Sequence, residues 1–296
     1  MISELVVREF LASAHSGDEA DLIPAALIIP RVEYTSVDPE PALATLAMLG
    51  ERASTMIAAL GPQATTRDRL RELNGLLFYE EGFMGNEERY EDPRNSFLHD
   101  VISRRTGIPI TLAVVYIDVA RRAGLNVEGI NFPGHFLVRA PRAAGDVTGT
   151  DDEIIVDPFT RGEFLNDEDC EYLLRRHLGQ EAVFTRELLA TATKRHILAR
   201  ILTNLKRLYV RFRSFPHARD VTHLLYALDS SASMELRDRG LLAYQLQDFR
   251  GALRDLEAYL QQTLPIPAAV DEDKRQEFSQ IWEHVKNLRR RLASLN

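Results

Sequence analysis

The sequence has little cysteine, no long apolar run and no excess of positive charge. Its single cysteine, Cys170, cannot form a disulfide within the chain, and no stretch approaches the roughly 20 apolar residues that a membrane-spanning helix needs. The 36 lysines and arginines are outnumbered by 44 aspartates and glutamates, which gives a net charge of −8. These absences argue against a disulfide-stapled secreted domain, a membrane protein and a protein that binds nucleic acid through general electrostatic attraction.

The chain also lacks the spacings of metal-binding motifs. Neither H-x-x-x-H nor C-x-x-C occurs, and no motif supports a group formed by His99, His135 and Asp157. We therefore expect no metal and no other cofactor. The N-terminal segment lacks the basic stretch and apolar run of a signal peptide. Together with the lone cysteine, this predicts a cytoplasmic protein in a reducing compartment, and the oligomeric state is not indicated.

Apolar residues make up 45% of the chain, which is enough for real cores. Their spacing is helical from residue 2 to about 80 and again from about 166 to the C-terminus. Between these regions the pattern predicts two helices and then three strands, at 97–105, 109–123, 127–132, 134–140 and 153–157. The sequence therefore predicts an α+β core at 1–184, with helices packed on a small antiparallel sheet, followed by an all-α helical domain at 185–296.

The second half contains a weak internal repeat. Phe215-x-x-Ala218 recurs as Phe249-x-x-Ala252, an offset of 34 residues, which is the period of tetratricopeptide helix pairs. Two such pairs, followed by an amphipathic helix around Trp282, would form a short array whose concave surface suits a protein or peptide partner. The alternative is an unrelated helical bundle in which the spacing is coincidental.

Strands 134–140 and 153–157 can be aligned as a hairpin that brings two reactive side chains together. If His135 faces Asp157, the turn centres on Asp146 and Arg139 faces Glu153. One face of the hairpin is then apolar, and the other carries an imidazole–carboxylate pair and an ion pair. A histidine beside a carboxylate has a fixed tautomer and a more basic far nitrogen, as in the base-and-orienter half of a nucleophilic triad.

The nucleophile of such a triad is missing from its expected place. It would lie at a helix N-terminus packed over the hairpin, where the helix dipole lowers the pKa of a thiol. The helix that begins near Pro109 offers Pro109, Ile110 and Thr111 but no cysteine. Thr111 is a candidate nucleophile, although a hydroxyl needs far more activation than a thiol. Cys170 is a weaker candidate because its acidic neighbours raise the pKa of a thiol.

Several motifs taken together resemble one known family. They are Asn95-Ser96, Arg104-Arg105-Thr106-Gly107-Ile108-Pro109, Phe132-Pro133-Gly134-His135-Phe136 and Asp157-Pro158-Phe159. The combination resembles the SirB-type (invasion-regulator) branch of the transglutaminase-like superfamily, closely over roughly residues 25–180 and loosely beyond. The resemblance implies a papain/transglutaminase-like core followed by a tetratricopeptide-like helical tail.

The resemblance also implies roles for individual residues. Active members of the superfamily use cysteine, histidine and aspartate for acyl transfer or amide hydrolysis, and His135 and Asp157 match the last two positions. Aligning the motif that holds the nucleophile puts Pro109 where the cysteine is expected. The branch is known for this substitution and has no well-established activity, so a regulatory or binding role is the usual inference.

Three functional hypotheses remain open from the sequence. The leading one is a non-catalytic transglutaminase-like protein that binds a protein or peptide partner and acts in regulation, with the His135–Asp157 pair either structural or retained as a binding pocket. The second is a cysteine-independent amidase, peptidase or acyltransferase that uses this pair, with Thr111 as nucleophile. The third is a scaffold in which only the helical tail matters.

Polar residues near the matched motifs are candidates for the lining of a cleft beside His135. They are Tyr90, Asn95 and Arg104, with Asn86 close by in the sequence. Turn and capping roles are the alternative for Asn86 and Asn95.

Overall fold

The computed structural model describes residues 2–17, 21–141, 153–263 and 272–294. The chain forms two compact units: the core unit is Ala12–Ile201, and the helical unit combines Met1–Leu11 with Leu202–Asn296. The hairpin turn predicted at Asp146 lies outside the described residues. The domain limits 1–184 and 185–296 stay a prediction beside this division.

The first half of the chain and the segment after the sheet are helical. The helices are α1 (Glu4–His15), α2 (Ile23–Ile28), α3 (Glu40–Ala59), α4 (Thr66–Asn74), α5 (Leu98–Arg104), α6 (Pro109–Arg122) and α7 (Asp167–Leu178). Local chemistry explains where α4 begins, because Thr65 and Asp68 satisfy each other's backbone N–H groups, at 3.1 and 3.2 Å. A π-helical turn, Gly75–Glu80, follows α4 directly.

Helix α6 lies at the centre of the core unit. The sequence predicted one buried stripe, whereas every residue from Pro109 to Ala120 is buried. This includes Asp118, whose carboxylate accepts hydrogen bonds from Arg121 at 3.0 Å and Arg122 at 2.6 Å. A helix that is apolar on all sides can only be stable in the interior, and α6 packs against α3 and the sheet.

Two small sheets complete the core unit. Strand β1 (Met84–Gly85) runs parallel to β2 (Thr106–Gly107). The larger, antiparallel sheet has the order β3 (Glu128–Ile130), β4 (Leu137–Pro141), β5 (Glu153–Asp157) and β6 (Glu163–Leu165). The three predicted strands correspond to β3, β4 and β5. Strands β1, β2 and β6 were not predicted, because segments of two or three residues carry too little alternation by themselves, whereas β3 lies within the longer predicted strand 127–132.

The predicted hairpin register is wrong by two residues. It placed His135 opposite Asp157 and Arg139 opposite Glu153, whereas Arg139 lies opposite Ile155. Because successive side chains alternate between the two faces, a shift of two residues leaves each of them on its predicted face. Arg139 therefore still pairs with Glu153, with Nη1 and Oε2 3.1 Å apart, across a diagonal of the ladder.

The helical unit is built from successive helix pairs. Helix α8 (Lys194–Arg211) leads into it and is followed by α9 (Phe215–Leu228), α10 (Ser233–Gln245), α11 (Phe249–Thr263) and α12 (Glu272–Ala293). The repeated phenylalanines, Phe215 and Phe249, each begin the second helix of a pair. Lys206 of α8 bonds to Glu235 of α10 at 2.8 Å. None of the helices in the described ranges is both long and apolar enough to cross a membrane.

The N-terminal segment Met1–Leu11 belongs to this helical unit. Its side chains Val6, Val7 and Phe10 are buried. Glu4 lines a cavity of about 160 Å³ together with residues of α9, α10 and α11. The first part of α1 therefore belongs to a unit whose other helices come from the C-terminal part of the chain.

Candidate functional site

His135 and Asp157 form a buried hydrogen-bonded pair in the core unit. Nε2 of His135 lies 3.0 Å from Oδ1 and 2.9 Å from Oδ2 of Asp157, and the two residues are only 5% and 2% exposed. His135 lies in the turn before β4, where its backbone N–H donates to the Phe132 carbonyl at 3.1 Å. Asp157 ends β5 and also accepts the Phe159 N–H at 2.9 Å. The two residues are in direct contact, and a catalytic role for them stays a prediction.

The pair fixes the tautomer of the imidazole. Because Nε2 faces a carboxylate, it carries the proton, and Nδ1 is the basic nitrogen. In the described part of the chain, no residue forms a hydrogen bond with Nδ1 of His135. The arrangement therefore offers an acceptor that can take a hydrogen bond or a proton from a group brought to this nitrogen.

Aromatic rings cover His135 on two sides. His177, in the last turn of α7, stacks on the imidazole with ring centroids 5.6 Å apart and an interplanar angle of 24°. Phe159 meets it edge-on at 5.8 Å and in turn contacts Tyr90 at 6.2 Å. Gly134 makes the stacking possible, since a Cβ there would lie 2.5 Å from Cβ of His177. His135 is thus enclosed by the turn that follows Asp157 and by α7.

The start of α6 holds no free nucleophile. Pro109 is buried at its first position, where a proline is well tolerated. The Thr111 hydroxyl donates to the Asn95 carbonyl at 2.7 Å and accepts the Ile108 N–H at 3.1 Å. These bonds cap the helix and tie it to the preceding loop. In the described ranges Thr111 forms no hydrogen bond with His135, and its role as a nucleophile stays a prediction.

Asn95 holds the loop before α5 together. Its buried amide donates to the Arg89 carbonyl at 2.7 Å and accepts from the Asn86 amide at 3.0 Å. These contacts match the turn-forming alternative for Asn86 and Asn95. Tyr90 is exposed and reaches His135 only through Phe159.

Arg104 lies at the end of α5. Its Nη2 is 3.8 Å from the Asp92 carboxylate, and its buried Nη1 has no hydrogen-bond partner among the described residues. The structure places Arg104 beside Asp92 rather than in contact with the His135–Asp157 pair. Its role in lining a cleft stays a prediction.

A buried asparagine that the sequence did not single out supports the turn after Asp157. Asn74, at the end of α4, donates to the Gly162 carbonyl at 2.7 Å and accepts from the Tyr116 hydroxyl at 2.8 Å. Gly162 has a positive φ of +80°, and a Cβ there would lie 2.4 Å from Cγ of Asn74. The network ties the Asp157 turn to α4 and α6, and it fixes the position of the carboxylate that orients His135.

Two arginines, Arg176 and Arg200, lie close enough to His177 to act on its charge. Arg200 of α8 donates to the Phe132 carbonyl at 3.0 Å and to the Asn131 side chain. The pKa of His177 is lowered mainly by partial burial, then by the charges of His135, Arg176 and Arg200, whereas Asp157 opposes the shift. His177 is a residue that the sequence does not single out, and the glycine before His135 is the sign in the sequence that another side chain packs there.

Cys170 is poorly suited to be a nucleophile. It is buried, and its pKa is raised to about 12, first by burial and then by Asp167 and Asp169. Near pH 7.5 the thiol is therefore almost entirely protonated. We expect Cys170 to resist 5,5′-dithiobis(2-nitrobenzoic acid) in the folded protein and to react fully in guanidinium chloride. Rapid, stoichiometric labelling of the folded chain would contradict its burial.

No cofactor position emerges from these contacts. In the ranges that the structure describes, no group of three or more histidine, cysteine, aspartate or glutamate side chains has a metal-binding arrangement. His99 packs edge-on against Tyr34, with ring centroids 5.2 Å apart. The expected absence of a metal and of other cofactors stays a prediction.

The chain matches two families of known proteins. Residues 41–203, more than half of the chain, match a family described as the transglutaminase-like superfamily. Residues 205–276 match one described as tetratricopeptide repeat. The fold class predicted from the sequence, an α+β transglutaminase-like core followed by a tetratricopeptide-like helical region, is confirmed.

Individual relatives cover different shares of the chain. A UPF0162 protein of Xylella fastidiosa is 38% identical over 268 residues, which are 88% of this chain and 91% of that protein. F-box only protein 21 of Homo sapiens is 34% identical over 153 residues, 51% of this chain and 23% of that protein. Protein SirB1 of Salmonella typhimurium is 26% identical over 195 residues, 66% of this chain and 70% of that protein.

Proposed function

The chain belongs to the transglutaminase-like superfamily, and from its site we propose that it is a non-catalytic member that binds a protein partner and acts in regulation. The UPF0162 and SirB1 relatives confirm the predicted resemblance to the SirB-type branch. The family alone does not decide the function, because the same fold carries catalytic and non-catalytic proteins.

One observation carries the proposal: the His135–Asp157 pair has an intact orienting bond, but no nucleophile among the described residues forms a hydrogen bond with it. Pro109 occupies the first position of α6. The Thr111 hydroxyl already donates to the Asn95 carbonyl at 2.7 Å, so activating it would break a buried cap. Cys170 is protonated because its pKa is raised to about 12. A general base without an ionisable or free nucleophile within reach does not support acyl transfer.

The helical unit supports the binding half of the proposal. Ion pairs join alternate helices of the unit, with Lys206 of α8 bonded to Asp238 of α10 at 2.9 Å and Arg237 of α10 paired with Glu277 of α12. Large apolar side chains remain exposed at Met234 of α10 and on α12. Stacked helix pairs of this kind form extended surfaces that bind other proteins.

Two measurements on the full-length protein test the proposal. We expect no hydrolysis of fluorogenic amides and no amine incorporation into a protein acceptor above the level of the His135→Gln variant. We also expect a photo-crosslinking residue at Met234 to capture a discrete protein adduct in cells that express the chain. The same residue placed at Met48 of α3, a methionine that is also exposed, is the matched control and should capture none.

The outcomes separate the two classes of function. Turnover by the wild-type chain that disappears in a folded His135→Gln protein would establish an enzyme and overturn the proposal. Equal adducts from Met234 and Met48 would show that the helical surface does not select a partner.

A further inference from the structure

The residues around His135 form a rim that the proposed function does not yet use. His177 is exposed and stacks on the buried imidazole. Arg200 is anchored to Asn131 and to the Phe132 carbonyl, which lie just before Gly134 in the same turn that His177 contacts. The two basic side chains therefore flank one turn, and Arg176 precedes His177 on α7.

We propose that His177, Arg176 and Arg200 bind a carboxylate of an acidic peptide segment on the surface beside the buried His135. The proposal rests on the proposed function and specifies the chemistry of the partner segment. The ligand is taken to be an acidic peptide because Tyr90 and Phe159 form an aromatic surface next to the positive charge. Such a surface suits a peptide that carries both acidic and apolar side chains.

The charge balance at the rim favours an anion. Among the described residues Arg176 forms no ion pair, although Glu168 and Glu171 line the same surface pocket. The groups that face His177 are His135 from the turn before β4, Asp157 from β5, Arg176 from its own helix and Arg200 from α8. Asp157 is buried and already bonded to His135, so it is not available to pair with the exposed Arg176.

Binding of a carboxylate is coupled to protonation of His177. Partial burial and the neighbouring positive charges keep the pKa of His177 below its usual value in the free protein. A carboxylate beside the ring raises that pKa in the complex, so the complex holds more protons than the free protein. The affinity for an acidic peptide therefore rises as the pH falls through the region around 6.5 and below.

Histidine side-chain NMR of the full-length protein measures both effects. The probe is tetraglutamate, acetylated at its N-terminus and amidated at its C-terminus, with tetraglutamine as the neutral control. We expect a saturable shift of the His177 signal with tetraglutamate only, and an affinity several-fold tighter at pH 6 than at pH 8. His177→Gln should remove the pH dependence, and Arg176→Gln should weaken binding by about twofold to fivefold. His196→Gln, at another exposed histidine, should change neither.

A pair of matched glycines tests the geometry without removing a charge. Gly134 and Gly82 share a φ of +74°, but an added Cβ meets His177 only at Gly134 and nothing within 4 Å at Gly82. Gly134→Ala should therefore displace His177 and weaken tetraglutamate binding as His177→Gln does, whereas Gly82→Ala should leave it unchanged. A melting curve of each variant verifies that it is folded.

Three results would overturn the inference: no His177 shift with tetraglutamate, an equal shift with tetraglutamine, or an unchanged affinity and pH dependence in His177→Gln. None of these affects the crosslinking from Met234 or the comparison with His135→Gln. A partner captured at Met234 together with a silent His177 would reject the carboxylate site and retain the proposed function.

Discussion

Replacing Gly162 with alanine is expected to lower the free energy of unfolding of the core unit by about 3 kcal/mol. The residue has a φ of +80°, and the added Cβ would lie 2.4 Å from Cγ of the buried Asn74. The left-handed backbone costs an alanine about 1 kcal/mol. Displacing Asn74 adds roughly 1–3 kcal/mol, because its bonds to the Gly162 carbonyl and the Tyr116 hydroxyl, at 2.7 and 2.8 Å, cannot both survive.

Gly61→Ala is the matched control for this prediction. Gly61 has the same φ of +80°, but an added Cβ there would meet nothing within 4 Å. Labelling of the Cys170 thiol during a urea titration reports the unfolding of the core unit, because Cys170 is buried in that unit. The difference between the two variants isolates the contact with Asn74. Equal losses at both glycines would mean that Asn74 does not hold the turn.

Replacing His135 with alanine is the second change with a large expected effect. It removes the partner of a carboxylate that is only 2% exposed. Leaving a buried carboxylate without its partner costs about 3–5 kcal/mol, because the remaining charge is uncompensated. We expect a loss near the lower end, about 3 kcal/mol, since Asp157 keeps the Phe159 N–H at 2.9 Å.

A double-mutant cycle separates the pair from the cavity that alanine leaves. The cycle combines His135→Ala with Asp157→Asn and follows urea unfolding by thiol accessibility. A parallel cycle on Arg139 and Glu153, whose side chains are 26% and 22% exposed, should give a coupling below about 1 kcal/mol. A coupling for His135 and Asp157 as small as that of the partly exposed pair would contradict the buried bond that the structure shows.

The helices and strands of the core were predictable because each is set by local patterns. The stripe from Leu112 to Ala120 and the alternation of β4 and β5 are visible in the sequence alone. The register was not, because a shift of two residues preserves the face of every side chain and the pattern cannot distinguish the two alignments. The short strands β1, β2 and β6 exist only through their partners.

The candidate site was predictable only where residues carry chemistry by themselves. The contact between His135 and Asp157 follows from residue type and spacing, and it is present at 2.9 Å. His177 and Phe159 reach the same imidazole through tertiary packing of α7 and of the turn after β5. No periodicity in the sequence reports such contacts. Gly134, which leaves room for His177, was the one available signal.

The segment Met1–Leu11 has a consequence for how the protein is made. It is translated well before the rest of its unit, which is completed only by Leu202–Asn296. At roughly 5–20 residues per second, a ribosome needs on the order of ten to forty seconds to reach Leu202 after Leu11. During that time Val6, Val7 and Phe10, which are buried in the finished protein, leave the exit tunnel before their unit exists. The nascent chain therefore presents a short apolar helix that a holding chaperone can shield, and a recombinant helical unit needs this segment supplied together with the C-terminal helices.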